Sequence, residues 1–315
     1  MTGYIRLLLS ITVLLSHTGL KINGMNPGVI AVVIFYMLAG GVVAHIWQDV
    51  LPEGEGKLLA FYKDRAKRIL PLYLFTCLLT LIFLLLSGYA NPVYKPVALL
   101  NNIIIMPLNY YMYIDSTVLT TPAWNLIPPA WSLGVELQAY LLLPFVLMKQ
   151  RLAKTLSIIS VIIYLAANIN IINTDIYGYR LLPGVFFMFL LGSYLRSWTK
   201  QQQYWQITRV YLSVLSLYIV LNSNGSLLQP YAKETLLGLM IGIPLLTISQ
   251  KIKLKMRYSR QAGSMSYGIF LMHFLIIWGN NHYQLVRTHQ WYYSVMIVII
   301  TAIASWIGVK IVENK

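Results

Sequence analysis

Long apolar stretches alternate with short polar or basic segments from one end of the chain to the other. Stretches long enough to cross a bilayer, about 20 residues each, fall near 4–20, 28–47, 69–88, 130–148, 155–172, 180–198, 209–222, 231–249, 263–280 and 292–310. They lack the short period-two alternation of a membrane barrel. The pattern therefore predicts an all-α fold, a polytopic integral membrane bundle of about ten transmembrane helices in a single domain over 1–315. Two connections are long. Segment 48–68 opens acidic at Asp49, Glu53 and Glu55 and ends in a helical-looking basic run, Phe61 to Arg68. Segment 89–129 is rich in Asn, Tyr, Pro and Thr. Its apolar middle, Leu99 to Leu108, is too short to span and is expected to be re-entrant or interfacial.

Composition removes the soluble alternative: 58% of the 315 residues are hydrophobic, 10% are charged, and the mean hydropathy is +0.65. The first apolar segment starts basic, like a signal peptide. It lacks a small-x-small cleavage site and carries His17, so it reads as a retained first span. A single cysteine, Cys77, excludes an internal disulfide.

A net charge of +15 would suggest nucleic acid in a soluble protein. Here its distribution accounts for it. With the N-terminus inside, 19 of the 24 Lys and Arg fall on the cytoplasmic side and five (Lys21, Lys95, Arg180, Lys233 and Arg287) fall outside. That asymmetry supports an even span count with both termini cytoplasmic. The expected partners are membrane lipids and an anionic cytosolic ligand rather than nucleic acid.

Ionisable groups inside spans are costly and usually functional. Arg6 and His17 lie eleven residues apart on one face of the first helix, separated by roughly 16 Å of rise. A cation at the mouth and a titratable imidazole deeper in suit a site that grips an anion and moves a proton. His273 also falls within a span, and on chemistry alone either histidine could be the base. Glu136 reads as the carboxylate within a span, and Ser132, Glu136 and Tyr140 share its helix face. It either pairs with an arginine to hold the bundle or orients His17. Arg65 and Arg68 are either ordinary positive-inside anchors or, with Arg6, three guanidiniums suited to phosphate contacts. Aromatics of segment 89–129, Trp124 among them, either form an interfacial belt or stack on sugar rings. No histidine set has metal-ligand spacing, so no metal is expected.

Five segments together resemble the membrane-bound acyltransferase-3 family. Arg6 with His17 matches its Arg-x10-His on the first span. Phe35-Tyr-Met-Leu-Ala-Gly40 resembles its Phe-Phe-x-Leu-Ser-Gly, and Arg65-Ala-Lys-Arg-Ile-Leu-Pro71 its Arg-x-x-Arg-Ile-x-Pro. Trp131-Ser-Leu-Gly-Val-Glu136, with Tyr140 and Pro144, resembles its Trp-Ser-Leu-x-x-Glu-x-x-x-Tyr-x-x-x-Pro. Ser266-Tyr-Gly-Ile-Phe-Leu-Met-His273 resembles its late Ser-Tyr-x-x-Tyr-Leu-x-His. The resemblance implies transfer of an acyl group, usually acetyl, from cytosolic acetyl-CoA to a hydroxyl of a surface or lipid-linked glycan at the inner (plasma) membrane. It implies His17 as general base, Glu136 supporting the site, and Arg6, Arg65 and Arg68 on the CoA phosphates. Trp131, Tyr140 and Trp124 are then the candidates for acceptor contact. Two positions depart from the pattern: Ala39 stands where the family often has Ser, and Val33 where many members have Asp. No hydrolase-like segment follows the last predicted span, so complete transfer is expected to use the membrane domain or a separate partner. The rival class is a proton-coupled transporter or flippase, which also uses intramembrane His and Glu but often shows inverted repeats, and none is evident.

Overall fold

The structure, a computed structural model, describes residues 2–252, 256–286 and 292–313. Lys253, Lys255, Arg287, His289 and Lys315 lie outside the described residues. The helices are α1 (Thr2–His17), α2 (Pro27–His45), α3 (Lys57–Ser87), α4 (Pro96–Ile104), α5 (Ala130–Met148), α6 (Gln150–Asn168), α7 (Leu182–Lys200), α8 (Tyr204–Ser223), α9 (Ala232–Lys251), α10 (Ser259–Tyr283) and α11 (Tyr293–Glu313). Among the described residues nine helices are long and apolar enough to cross a membrane, and α1 is a shorter apolar helix of 16 residues. These ten and the ten predicted spans correspond one to one. The chain is an all-α multi-pass membrane protein.

Where boundaries differ, local chemistry explains it. α1 stops at His17 rather than near residue 20 because Gly19, at φ 101°, closes a left-handed cap. The Leu20 N–H donates to Leu15 O at 3.0 Å and the Gly19 N–H to Ser16 O at 3.4 Å. His17 is thus the last residue of its helix rather than an interior one. α3 begins at Lys57, so the helical-looking basic run Phe61–Arg68 is helix and continues into the span as the first part of a 31-residue helix. That helix is about 46 Å long, well beyond the ~30 Å hydrocarbon core. Glu136 is not the one carboxylate in a span: Glu234, in the first turn of α9, accepts the Asn26 N–H at 3.1 Å.

The chain divides into two compact units, with α3 and α5 contributing to both. Unit one comprises Lys21–Asp64 and Val135–Met256. Its centre is the crossing of α2 and α7, where small residues let backbones touch, as membrane helices without a hydrophobic drive require. A Cβ on Gly40 would lie 1.8 Å from Phe189 O, and one on Gly192 1.8 Å from Met37 O. Val33, one of the two departures, is fully buried, and its Cβ would stand 2.7 Å from a Cβ on Gly238 of α9. Its role in this chain is therefore helix packing. Just before α7 a π turn, Ile176–Arg180, inserts an extra residue, and Gly184 makes room for its Tyr177 carbonyl.

Unit two comprises Thr2–Leu20, Arg65–Gly134 and Arg257–Lys315. Here α10 packs against α1 on one side and α11 on the other. Segment 89–129 is built around Asn102. Its amide donates to Ala98 O at 2.8 Å and Ser116 O at 2.9 Å, and its side-chain oxygen accepts the Leu126 N–H at 2.9 Å. The Tyr73 hydroxyl of α3 donates to its carbonyl at 2.6 Å. The apolar middle is α4, nine residues long with Val97, Leu100, Ile103 and Ile104 exposed along it, and it does not span. Ile105 after it holds φ 71°, rare for a β-branched residue, and its side chain is completely buried. A two-stranded hairpin, β1 (Leu119–Thr120) with β2 (Ala123–Trp124), then presents Trp124.

Lys95 pairs with Asp115 at 2.8 Å in the same segment. The Lys95 ammonium first, then the Thr117 hydroxyl and N–H, hold the Asp115 carboxyl below the usual carboxylate range. A carboxyl whose pKa falls on folding adds stability above its unfolded value, about 3.9. That contribution is lost as pH drops through the lower folded value. Amide protection near Thr117 is therefore expected to persist at pH 5 and to fall only below about pH 4, by less than ~1 kcal/mol because the pair is half exposed. Hydrogen exchange across that range checks it, and loss already at pH 6 would assign the order to another group.

Candidate active site

Of the residues singled out from sequence, Arg6, His17, Arg65, Arg68, Trp124, Trp131 and His273 fall in unit two. Arg6 sits in the second turn of α1 and His17 at its end. Arg65 and Arg68 are one turn apart on α3. α10 ties these elements together at its start. Ser266 Oγ donates to Arg6 O at 2.8 Å, Arg68 Nη1 donates to Ser264 Oγ at 3.1 Å, and the Tyr267 hydroxyl donates to Ile69 O at 3.1 Å. The Gly3 N–H reaches Ser259 Oγ at 3.4 Å and the Tyr4 hydroxyl Arg257 O at 2.6 Å. Arg6 and Arg68 thus meet one short stretch of α10, and Arg65 follows on the adjoining turn of α3. The basic triad predicted from spacing is gathered at one end of unit two.

The late motif acquires a physical reading residue by residue. Ser266 and Tyr267 hold the backbones of α1 and α3. Gly268 lets α11 approach, since a Cβ there would lie 2.9 Å from Ser305 Cβ. Two turns on, His273 stacks on His17, with ring centroids 5.3 Å apart and planes at 24°. Phe274 stands edge-on to His17 at 4.8 Å. The pair is asymmetric: His17 is exposed, His273 completely buried. His273 is the residue whose place the sequence left open, and its contact joins positions 256 residues apart, which no spacing rule reports.

Aromatic rings continue from this pair. Trp124, 38% exposed, lies 5.8 Å from Phe274. Along the same face of α10, Trp278 follows Phe274 at 5.8 Å, and Tyr89 lies 6.1 Å from Trp278. Trp124 is therefore brought beside the His17 ring set. Trp131 is half-buried in the first turn of α5.

Glu136 and Tyr140 belong to unit one. They are successive on one face of α5, and the Tyr140 hydroxyl donates to Glu136 Oε1. The Tyr140 ring packs edge-on to Phe61 at 6.4 Å. Within this unit the charges of Glu136 and Arg180 both act on the buried Tyr36 hydroxyl. Arg180, at the end of the π turn, pairs with Asp175 at 2.6 Å and lies against the rings of Tyr179 at 5.3 Å and Tyr231 at 5.9 Å. This carboxylate–tyrosine–arginine cluster was not legible in the sequence, which placed Arg180 simply among the external cations. Among the described residues no three His, Cys, Asp or Glu side chains converge as metal ligands.

The match to a known family covers nearly the whole of this architecture. A family model described as an acyltransferase domain spans residues 3–310. An uncharacterized protein of Aquifex aeolicus (strain VF5) is 40% identical over 218 residues, covering 65% of this chain and 96% of that protein. No solved structure matches the chain. With a model that takes in every one of the ten helices, including both arginine-bearing helices and the histidine pair, the chain belongs to the acyltransferase-3 family and is a multi-pass membrane acyltransferase.

Proposed function

We propose that the protein is an O-acyltransferase, with acetyl as the group moved, that carries an acyl group from cytosolic acyl-CoA to a hydroxyl of a surface or lipid-linked glycan at the plasma membrane. The observation that supports this reading is the layout of unit two: near its start α10 bonds the Arg6 backbone carbonyl and the Arg68 guanidinium, and further along it stacks His273 on the exposed His17 imidazole at the end of α1. The donor is a polyanion that cannot cross the bilayer. Arg6, Arg65 and Arg68 offer it bidentate charge-assisted hydrogen bonds. The positive-inside asymmetry supports that end facing the cytosol.

The donor's arm, running along α1 from Arg6, brings the thioester toward His17 over roughly 16 Å. An acceptor hydroxyl then gives its proton to a His17 ring nitrogen as its oxygen attacks the thioester carbonyl. The C–S bond breaks, and the CoA sulfur leaves with the proton held by His17. The products are the ester and free CoA thiol. Trp124, exposed beside Phe274, supports an acceptor sugar stacking near that hydroxyl.

The test uses membranes from cells with and without the protein, supplied with radiolabelled acetyl-CoA and cell-envelope glycan. Alkali-labile label in glycan is expected only where the protein is present. Label in neither sample would overturn the acetyl donor or the glycan acceptor, and the acyl transfer would then use another pair of substrates.

A further inference from the structure

The His17–His273 stack contains a nitrogen that the reaction above does not use. His273 lies wholly inside unit two, and its Nδ1 faces Ile269 O at 3.0 Å. A carbonyl only accepts, so Nδ1 carries the proton and the lone pair sits on Nε2. That Nε2 is buried and has no hydrogen-bond partner. An unmet buried acceptor is costly and calls for a reason. The titratable group that acts on the His273 ring is His17, stacked upon it. Of the two rings, His17 is the exposed one.

We infer that His273 is a positioning residue for His17. For this, His17 would leave the 5.3 Å stack and place one ring N–H in the plane of the His273 ring at Nε2, leaving the other nitrogen bare toward the acceptor hydroxyl. The Ile269 carbonyl fixes the tautomer of His273, and His273 in turn fixes that of His17. The arrangement has the logic of a base oriented by a third group, with a neutral imidazole as the orienter. A neutral orienter suits a site inside an apolar bundle, where an unpaired carboxylate is costly. Phe274, edge-on at 4.8 Å, limits how far His17 can turn.

The inference rests on His17 being the base, and the experiment separates the two. His273→Phe keeps a ring in the stack but removes Nε2, while His273→Gln keeps an acceptor at similar reach. Both are assayed in membranes at matched levels of folded protein, with acetyl-CoA and glycan each titrated. His273→Phe is expected to lower kcat about 10- to 100-fold, with both KM values unchanged, and His273→Gln to recover most of that loss. In a His17→Ala background, His273→Phe is expected to add nothing, because it acts through His17. Normal kcat in His273→Phe, equal losses in the Phe and Gln variants, or a further loss on top of His17→Ala would each overturn the positioning role. If His17→Ala itself transferred acyl groups normally, the base assignment would fall first. An inactive His17→Ala beside a fully active His273→Phe would remove His273 alone.

Discussion

Membranes carrying His17→Ala are expected to transfer acyl groups about 10²- to 10⁴-fold more slowly than wild type, the range contributed by a positioned general base. The amount and melting of folded protein are expected to stay the same. The second half of this expectation follows from the structure. His17 is exposed, ends its helix, and makes ring contacts rather than core packing. The cap that closes α1 uses backbone N–H groups of Gly19 and Leu20, which the substitution leaves in place. Activity and folding are therefore separable at this position, and size-exclusion profiles run beside the transfer assay read them independently. Full activity in the variant would dismiss His17 as the base, whatever the family relationship.

Gly192→Val is expected to have the opposite profile, leaving almost no folded protein to assay. The glycines of α2 and α7 are reciprocal: Gly40 receives the Phe189 carbonyl and Gly192 the Met37 carbonyl, each at 1.8 Å from where a Cβ would stand. A backbone carbonyl cannot rotate aside as a side chain can. The two helices must then separate along the crossing that forms the centre of unit one. Overpacking typically costs about 1–3 kcal/mol and occasionally more, and a carbonyl that cannot yield puts this site at the upper end, a large part of a typical margin of ~5–15 kcal/mol. Gly279→Ala is the control, because a Cβ at Gly279 of α10 meets nothing within 4 Å. A Gly192→Val protein that melted like wild type in detergent would show that the crossing is not as close as described.

Hydropathy was sufficient to find every span, because backbone groups in lipid must be satisfied inside helices and only long apolar helices do so. It failed at ends. The basic residues before Ile69 lower the local hydropathy although the helix runs on from Lys57, since charged side chains are good helix formers in water. Gly19 was the visible sign of where α1 closes, and it outweighs the apolar Leu20 beyond it. The arginine cluster was legible because positive charge, helical spacing and chain order all pointed to one end. The histidine stack and the grouping of Arg180 with Glu136 and Tyr36 were not. Each joins helices far apart in the chain, and periodicity describes the faces of a helix without saying which helix meets them. Val33 shows the same limit from the other side. As a departure from a motif it drew attention as a candidate position without saying what surrounds it, and its surroundings are the packing surface of α9.

One dimension of α1 carries a consequence for the lipid around it. Sixteen residues give about 24 Å of helix, several ångströms less than the ~30 Å of an ordinary hydrocarbon core. A short span is accommodated by drawing the two leaflets together. On the proposed function, a bilayer thinned beside His17 would bring the two water phases closest where acceptor and donor meet. Membrane thickness, and hence lipid chain length, would then act on transfer through α1 without touching a single reacting atom.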